Sequence, residues 1–308
     1  MRSSSYRSSR SDRVRRMMSI DAHETSHEDE VNTAIAEPAE EREVATPQPA
    51  KPATSKQANG HVLKSPVRKR VKKPIEHVDP TPAQRAALNH VNEMIQQTSP
   101  LTWVFTGERL VDNNHTALAH RTYSELISEH VRTGWRRLLD VVVDTSVVEG
   151  RVDNLLMSLD WRTLRLQPDI VSISVGLADS LQGERGQRRF RRRLEMVIES
   201  IQKAGAIALL NTPPPPAKQA KMYPDLPEYI EIIQSMAAEM GAPLIDHWTE
   251  WKFSILKAQK AKADSTEKRW TSPGVFPNAN GHLQMALHLL GHFSESPNPS
   301  YLYANRAI

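Results

Sequence analysis

The chain has 308 residues, with 40 lysines and arginines against 36 aspartates and glutamates, for a net charge of +4. It contains no cysteine, which excludes disulfides and thiolate metal sites. No apolar run approaches the roughly 20 residues needed to span a bilayer, and no apolar segment follows the basic N-terminus, so neither a membrane span nor a secretory signal is expected and a cytoplasmic location is the default.

Residues 1–80 carry few large apolar side chains and no helix or strand periodicity. Arginines cluster at 2–16, acidic residues at 21–43, and Ala, Pro, Thr and Lys dominate 45–67. Arg68-Lys69-Arg70-Val71-Lys72-Lys73 forms a basic knot that could meet phosphate backbones or an anionic surface. Such a stretch cannot bury enough apolar area to offset its ordering entropy, so residues 1–80 are expected to be a disordered tail. Translation from Met17 or Met18 would remove the Arg-rich leader. Residues 81–295 are expected to form one folded domain, and 296–308 a C-terminal tail.

The domain opens at Thr81-Pro82-Ala83 with a helix start: Thr81 can cap and Pro82 suits the first helical position. Ala87, Leu88, Val91, Met94 and Ile95 continue it at helical spacing. Thr102–Thr106 reads as a buried strand, and 116–133 as a helix with Leu118, Tyr123, Leu126, Ile127 and Val131 inward. Leu138–Val143, Asp169–Val175, Ala206–Leu210 and Ala242–Ile245 are apolar runs of strand length, apolar on both faces as in a covered parallel sheet. Helical patterns separate them: Phe190, Leu194, Val197, Ile198 and Ile201; Tyr229, Ile232, Ile233, Met236 and Met240; Leu283, Met285, Ala286, Leu289 and Leu290. Alternation of this kind predicts an α/β fold, a three-layer α/β/α sandwich around a central parallel sheet of about five strands. Ligands of such sheets bind beyond the carboxyl ends of the strands.

Three short blocks fall at those ends or in the last loop. Gly107-Glu108-Arg109 follows the first strand. Val175-Gly176-Leu177-Ala178-Asp179 follows Asp169–Val175. Pro273-Gly274-Val275-Phe276-Pro277-Asn278 precedes the last helix. Their order and surroundings, over roughly residues 100–292, resemble the SGNH (GDSL-type) esterase family. There a strand runs into Gly-Asp-Ser, a later one ends in Gly-x-Asn-Asp, and Asp-x-x-His lies near the C-terminus. The resemblance implies a flavodoxin-like sheet and ester hydrolysis by a serine nucleophile. It also implies that the reactive positions here are replaced. The serine position reads Arg109, the oxyanion asparagine Ala178, and the triad aspartate and histidine Pro273 and Phe276. Glu149 falls where the family's second block has a glycine, with Gly150 one place later.

Serine-based hydrolysis needs a hydroxyl nucleophile, a base, a group orienting the base, and oxyanion donors. Arginine, alanine, proline and phenylalanine supply none of these in their places. The expected function is therefore that of an inactive family member that binds or scaffolds through the former cleft. An unidentified small-molecule or protein ligand would sit there, with Gly107, Glu108, Asp179 and His282 as candidate contacts. Two other readings stay open. One is an active esterase with relocated residues, drawing on Ser146, Ser174, Ser180 or His282, or on the carboxylate pair Glu108 and Asp179. Arg109 beside Glu108 is expected to hold that carboxylate ionised. The other is a nucleic-acid-associated protein acting through residues 68–73 and the arginines at 188–193. The face around Phe190 is expected to be solvated, because four of Arg188, Arg189, Arg191, Arg192 and Arg193 avoid the apolar stripe. Pro213–Pro216 reads as a stiff loop at the site rim. No cofactor is expected, and the 12 histidines, His247 and His288 among them, show no metal-ligand spacing.

Overall fold

Five parallel strands run side by side in a sheet that reverses its direction of growth between its second and third members. The computed structural model describes residues 78–110, 121–216, 221–260, 270–271 and 276–293. The expectations for residues 1–77, 272–275 and 294–308, Pro273 included, lie outside the described residues.

Helix α1 (Pro82–Gln96) leads in, followed by β1 (Thr102–Arg109), α2 (Tyr123–Thr133), β2 (Val141–Asp144), β3 (Val147–Val148), α3 (Val152–Arg162), β4 (Ile170–Ser174), α4 (Leu177–Ser180), α5 (Gly183–Lys203), β5 (Ile207–Asn211), α6 (Leu226–Glu239), β6 (Leu244–Ile245), α7 (His247–Lys260) and α8 (Ala279–Leu290). The strand order is β2-β1-β4-β5-β6, with β3 pairing the end of β1, and every pairing is parallel. Helices α3, α5 and α6 pack in series over one face, and α2 and α8 pack together elsewhere in the molecule. The core strands are apolar on both sides: Val104, Phe105, Ile170, Val171, Ile173, Leu209 and Leu210 are all buried.

The helix starts follow from their sequences. Thr81 accepts from the Gln84 amide at 3.2 Å while Gln84 Oε1 accepts from the Thr81 amide at 2.9 Å, a reciprocal cap. Thr122 and Glu125 repeat the arrangement at α2. Helix α1 runs along the N-terminal ends of the strands. Gln84 donates to the Ala242 carbonyl just before β6, and Arg137, just before β2, donates to the Ile95 carbonyl at the other end of α1. Fifteen residues span about 22 Å at 1.5 Å per residue. Five strands about 4.8 Å apart need about 19 Å. The length of α1 therefore fits the width of the sheet on the side away from the candidate site.

Several expectations are corrected. The run Leu138–Val143 is not wholly strand: Leu138 and Leu139 lie in a turn, each 75% exposed, and β2 begins at Val141. Buried Asp140 decides this. It accepts from the Leu101 amide and the Trp103 indole and pairs with Arg137, which only a turned backbone allows. The helix placed at 116–133 starts at Tyr123 among the described residues. Ala242–Ile245 shrinks to a two-residue strand. Helix α7 shows no apolar period in the sequence because its buried side chains, His247, Thr249, Trp251 and Ile255, mix polar and apolar types. Helix α5 begins at Gly183, so the arginines at 188–193 lie past its first turn and do not oppose the helix dipole at its start. Pro213–Pro216 are buried, not displayed at a rim.

Candidate functional site

The switch point of the sheet lies between β1 and β4, where the two chains diverge at their carboxyl ends. Gly107 pairs with Ser174 there. Its φ of +96° is a conformation that side chains rarely adopt, and a Cβ would stand 2.0 Å from the Ser174 carbonyl oxygen. Gly107 is thus required by the approach of β1 to β4 and sets the direction of the two residues that follow it.

Successive strand residues point to opposite faces. Glu108 therefore turns inward and Arg109 outward. Glu108 is buried, and both carboxyl oxygens accept from the Ala178 amide at 3.1 Å. Burial, reinforced by the nearby charges of Asp179 and Glu149, pushes its pKa up to about 8. The expectation that Arg109 holds Glu108 ionised is overturned: the two side chains diverge, and burial pushes Glu108 toward its protonated form. Arg109 instead lies 4.0 Å from Asp144 at the end of β2.

Asp179 is fully buried and accepts from the Val152 amide at 3.1 Å and from the Gly176 amide at 3.1 Å. Desolvation pushes its pKa up to about 6 despite these bonds. Together, Glu108 and Asp179 tie the end of β1, the β4–α4 corner and the first residue of α3 into one knot. Ala178 is buried in that corner.

The remaining sequence-derived candidates fall as follows. Glu149 has a positive φ of 55°, a conformation that favours glycine, and its charge reaches Glu108. Next to it, Gly150 donates its amide to the Val147 carbonyl at 3.0 Å and leaves no space for a Cβ, which would meet the Gly107 carbonyl at 2.7 Å. Phe276 is half-buried and packs against the core. His282, in the first turn of α8, is buried, and its Nδ1 accepts from the Tyr123 amide at 3.3 Å. Ser174 bonds the Tyr123 hydroxyl at 3.0 Å, Ser146 donates to Asp144, and Ser180 donates to the Leu177 carbonyl.

The structure brings Gly107, Glu108, Ala178, Asp179 and Glu149 together at the carboxyl end of the sheet. It adds two residues that the sequence pattern does not single out. Asp144 receives Ser124, Ser146 and the approach of Arg109. Tyr123 links α2 to β4 and α8, and its hydroxyl pKa is pushed up to about 12 by burial. The position of Asp144 at the end of an apolar run is a signal for it; helical spacing places Tyr123 inward but does not mark its bond to β4. His247 is buried and His288 half-buried, with Nδ1 atoms 3.0 Å apart, and the His247 ring lies edge-on to Tyr123 with centroids 6.4 Å apart. Among the described residues no three His, Asp or Glu side chains are grouped so as to hold a metal ion. No helix among them is long and apolar enough to cross a membrane.

A parallel sheet in this order, with a glycine-turned first strand and a carboxylate-braced corner at the switch point, defines an α/β sandwich of the hydrolase type. Residues 120–283 match the sequence model of the GDSL-like lipase/acylhydrolase family, and the chain belongs to that family. The matched stretch begins after Arg109, so Gly107-Glu108-Arg109 lies outside it. No match was found among curated protein sequences.

Among solved structures, the acetyl xylan esterase AlAXEase superposes with a TM-score of 0.53 at 20% identity, over 62% of this chain and 98% of its own. An acetylxylan esterase from Geobacillus stearothermophilus gives 0.53 at 16%, over 65% and 98%. A protein described as a GDSL-like lipase from Parabacteroides merdae gives 0.54 at 16%, over 65% and 99%. At these identities the likeness is one of fold. Catalytic mutants of the Geobacillus enzyme replace a serine, an aspartate and a histidine, the last two separated by three positions. Pro273 and Phe276 have that same separation in this chain.

Proposed function

We propose that this chain is a catalytically inactive GDSL-family domain whose role is binding or scaffolding through the former substrate cleft. The observation that carries this reading is the end of β1. At the first position past the inward carboxylate, where the family places its nucleophile, stands an arginine directed toward Asp144. A guanidinium stays protonated at any useful pH and cannot attack a carbonyl. The serines nearby are engaged with Tyr123, Asp144 and a backbone carbonyl. In serine hydrolases the loss of single triad members costs roughly 10⁴- to 10⁶-fold in turnover, so the joint replacement at 109, 178, 273 and 276 leaves nothing to accelerate hydrolysis.

The test is twofold. A fluorophosphonate probe labels only an activated serine, and the purified chain is expected to remain unlabelled. Because the similar structures include acetylxylan esterases, acetylated xylooligosaccharides and p-nitrophenyl acetate are the substrates to try, and no turnover above background is expected. Stoichiometric labelling at any serine would overturn the reading in favour of a relocated esterase site.

A further inference from the structure

Helix α5 carries a second feature, on the side of the domain away from the sheet. Its apolar stripe, Phe190, Leu194, Val197, Ile198 and Ile201, is buried. Arg185, Arg188, Arg189, Arg192 and Arg193 follow one another at helical spacing along the opposite side and line an open depression of about 830 Å³ together with Glu184 and Met196. The sequence groups Arg191 with them. The structure removes it, because Arg191 bonds Ser235 and pairs with Glu239 on α6. It also adds Arg185. Arg189 and Arg193 share a single acid, Asp153 at the start of α3, at 3.1 and 3.2 Å. Glu184 at one end of the stripe, and Glu195 and Glu199 beyond the other, are the further acids on α5. Glu199 already meets Lys203. Positive charge is therefore left in excess along the stripe.

We infer that this stripe is a binding surface for the phosphodiester backbone of nucleic acid, read without sequence preference. From Arg185 to Arg193 the helix advances about 12 Å at 1.5 Å per residue. A nucleic-acid strand presents a phosphate about every 3.4 Å of axis, so three or four phosphates lie within reach. All five cations are arginines, whose planar fork matches a phosphate with two parallel hydrogen bonds. An acidic protein partner fits less well, since protein interfaces are centred on buried aromatic or aliphatic anchors. Among the described residues, the only apolar one lining the depression is Met196. No aromatic side chain among them lines it either, so bases have nothing to stack on and the contacts go to phosphate.

The experiment measures fluorescence anisotropy of a labelled mixed-sequence duplex DNA with the full chain across roughly 50–200 mM salt. The double variant Arg188→Gln/Arg192→Gln is compared with wild type. Both residues are exposed, so folding is not at stake, and a thermal melt verifies this. The slope of log K against log salt is expected to flatten by about 1.8, about 0.9 for each phosphate that is no longer neutralised, with affinity at least about tenfold weaker at the low-salt end. A second variant neutralises the knot at 68–73 by glutamine and leaves the stripe intact. Adding Arg188→Gln/Arg192→Gln to it is expected to flatten the slope by the same amount again. An unchanged slope in the Arg188→Gln/Arg192→Gln variant would overturn the inference, as would a stripe-dependent complex with a poly-glutamate peptide combined with no binding of DNA.

Discussion

Replacing Glu108 with glutamine removes the most unusual titrating group in the fold. Glu108 ionises near pH 4.5 when exposed and near pH 8 when buried in the native state. Between those values the native state holds a proton that the unfolded state has released. Stability is therefore fully present below about pH 4.5 and falls as pH rises through 8. Each unit is worth about 1.4 kcal/mol, which sets an upper bound of about 5 kcal/mol for full ionisation. Other groups complicate the acid side. Asp179, raised to about 6, adds to the same slope, while burial holds His247, His130 and His292 below the ordinary 6.5, so these three oppose it up to and somewhat beyond pH 6.5. Integrating the Glu108 titration alone from pH 6.5 to 8 gives a loss of about 1.6 kcal/mol, and the difference between wild type and Glu108→Gln isolates it from the histidines. For a domain of this size that is a fall of about 3–6 °C in Tm. Glu108→Gln keeps an oxygen to accept from the Ala178 amide and loses the titration. Its Tm is expected to lack that fall, so that the gap between the two proteins changes by about 3–6 °C across the window, measured by circular dichroism melts in phosphate buffer. Parallel pH profiles for the two proteins would refute the burial argument.

Two further outcomes follow from the same edge. Gly107→Ala forces a Cβ against the Ser174 carbonyl at a positive φ and is expected to cost at least about 3 kcal/mol, seen as lost near-UV circular dichroism or a sharply lowered melt; a native-like melt would show that β1 and β4 are not held as closely as described. Glu149→Gly relieves a left-handed backbone and is expected to stabilise by about 1 kcal/mol, about 2–4 °C in Tm, with a lower Tm arguing against the strain.

The sheet was legible because its strands are apolar on both faces and bounded by proline, glycine or polar punctuation, and because α5 and α6 keep unbroken apolar stripes. Where polar anchors decide the backbone, the sequence misled. The leucines at 138 and 139 suit a strand, yet Asp140 and Arg137 fold them into an exposed turn through bonds to residues some forty positions earlier. The site shows the same division. The convergence of Gly107, Glu108, Ala178, Asp179 and Glu149 could be anticipated from strand order. The partner of Arg109 could not, because it depends on which face of β1 each side chain takes, and the adjacent acid in the sequence was the wrong one.

Family resemblance and geometry together separate the positions at this edge into two groups. Glu108 and Asp179 remain carboxylates, and both point inward onto backbone amides that fix the corner between β4, α4 and α3. An acceptor oxygen at each of these positions is needed for the fold whether or not the domain reacts, since losing it would leave buried amides without acceptors. On the proposed reading, Arg109, Ala178, Phe276 and Glu149 occupy positions whose family residues serve the reaction, and none of them offers the hydroxyl, imidazole, amide or glycine found there in the family. A chain drifting without function would not be expected to spare one group and lose the other, because unpaired buried amides and a broken glycine turn are no harder to reach by substitution than a lost serine. Retention of the brace alongside the proposed loss of the chemistry is what a fold kept for its surface would produce. The cleft at the switch point and the arginine stripe of α5 are the two surfaces on which such a role can be sought.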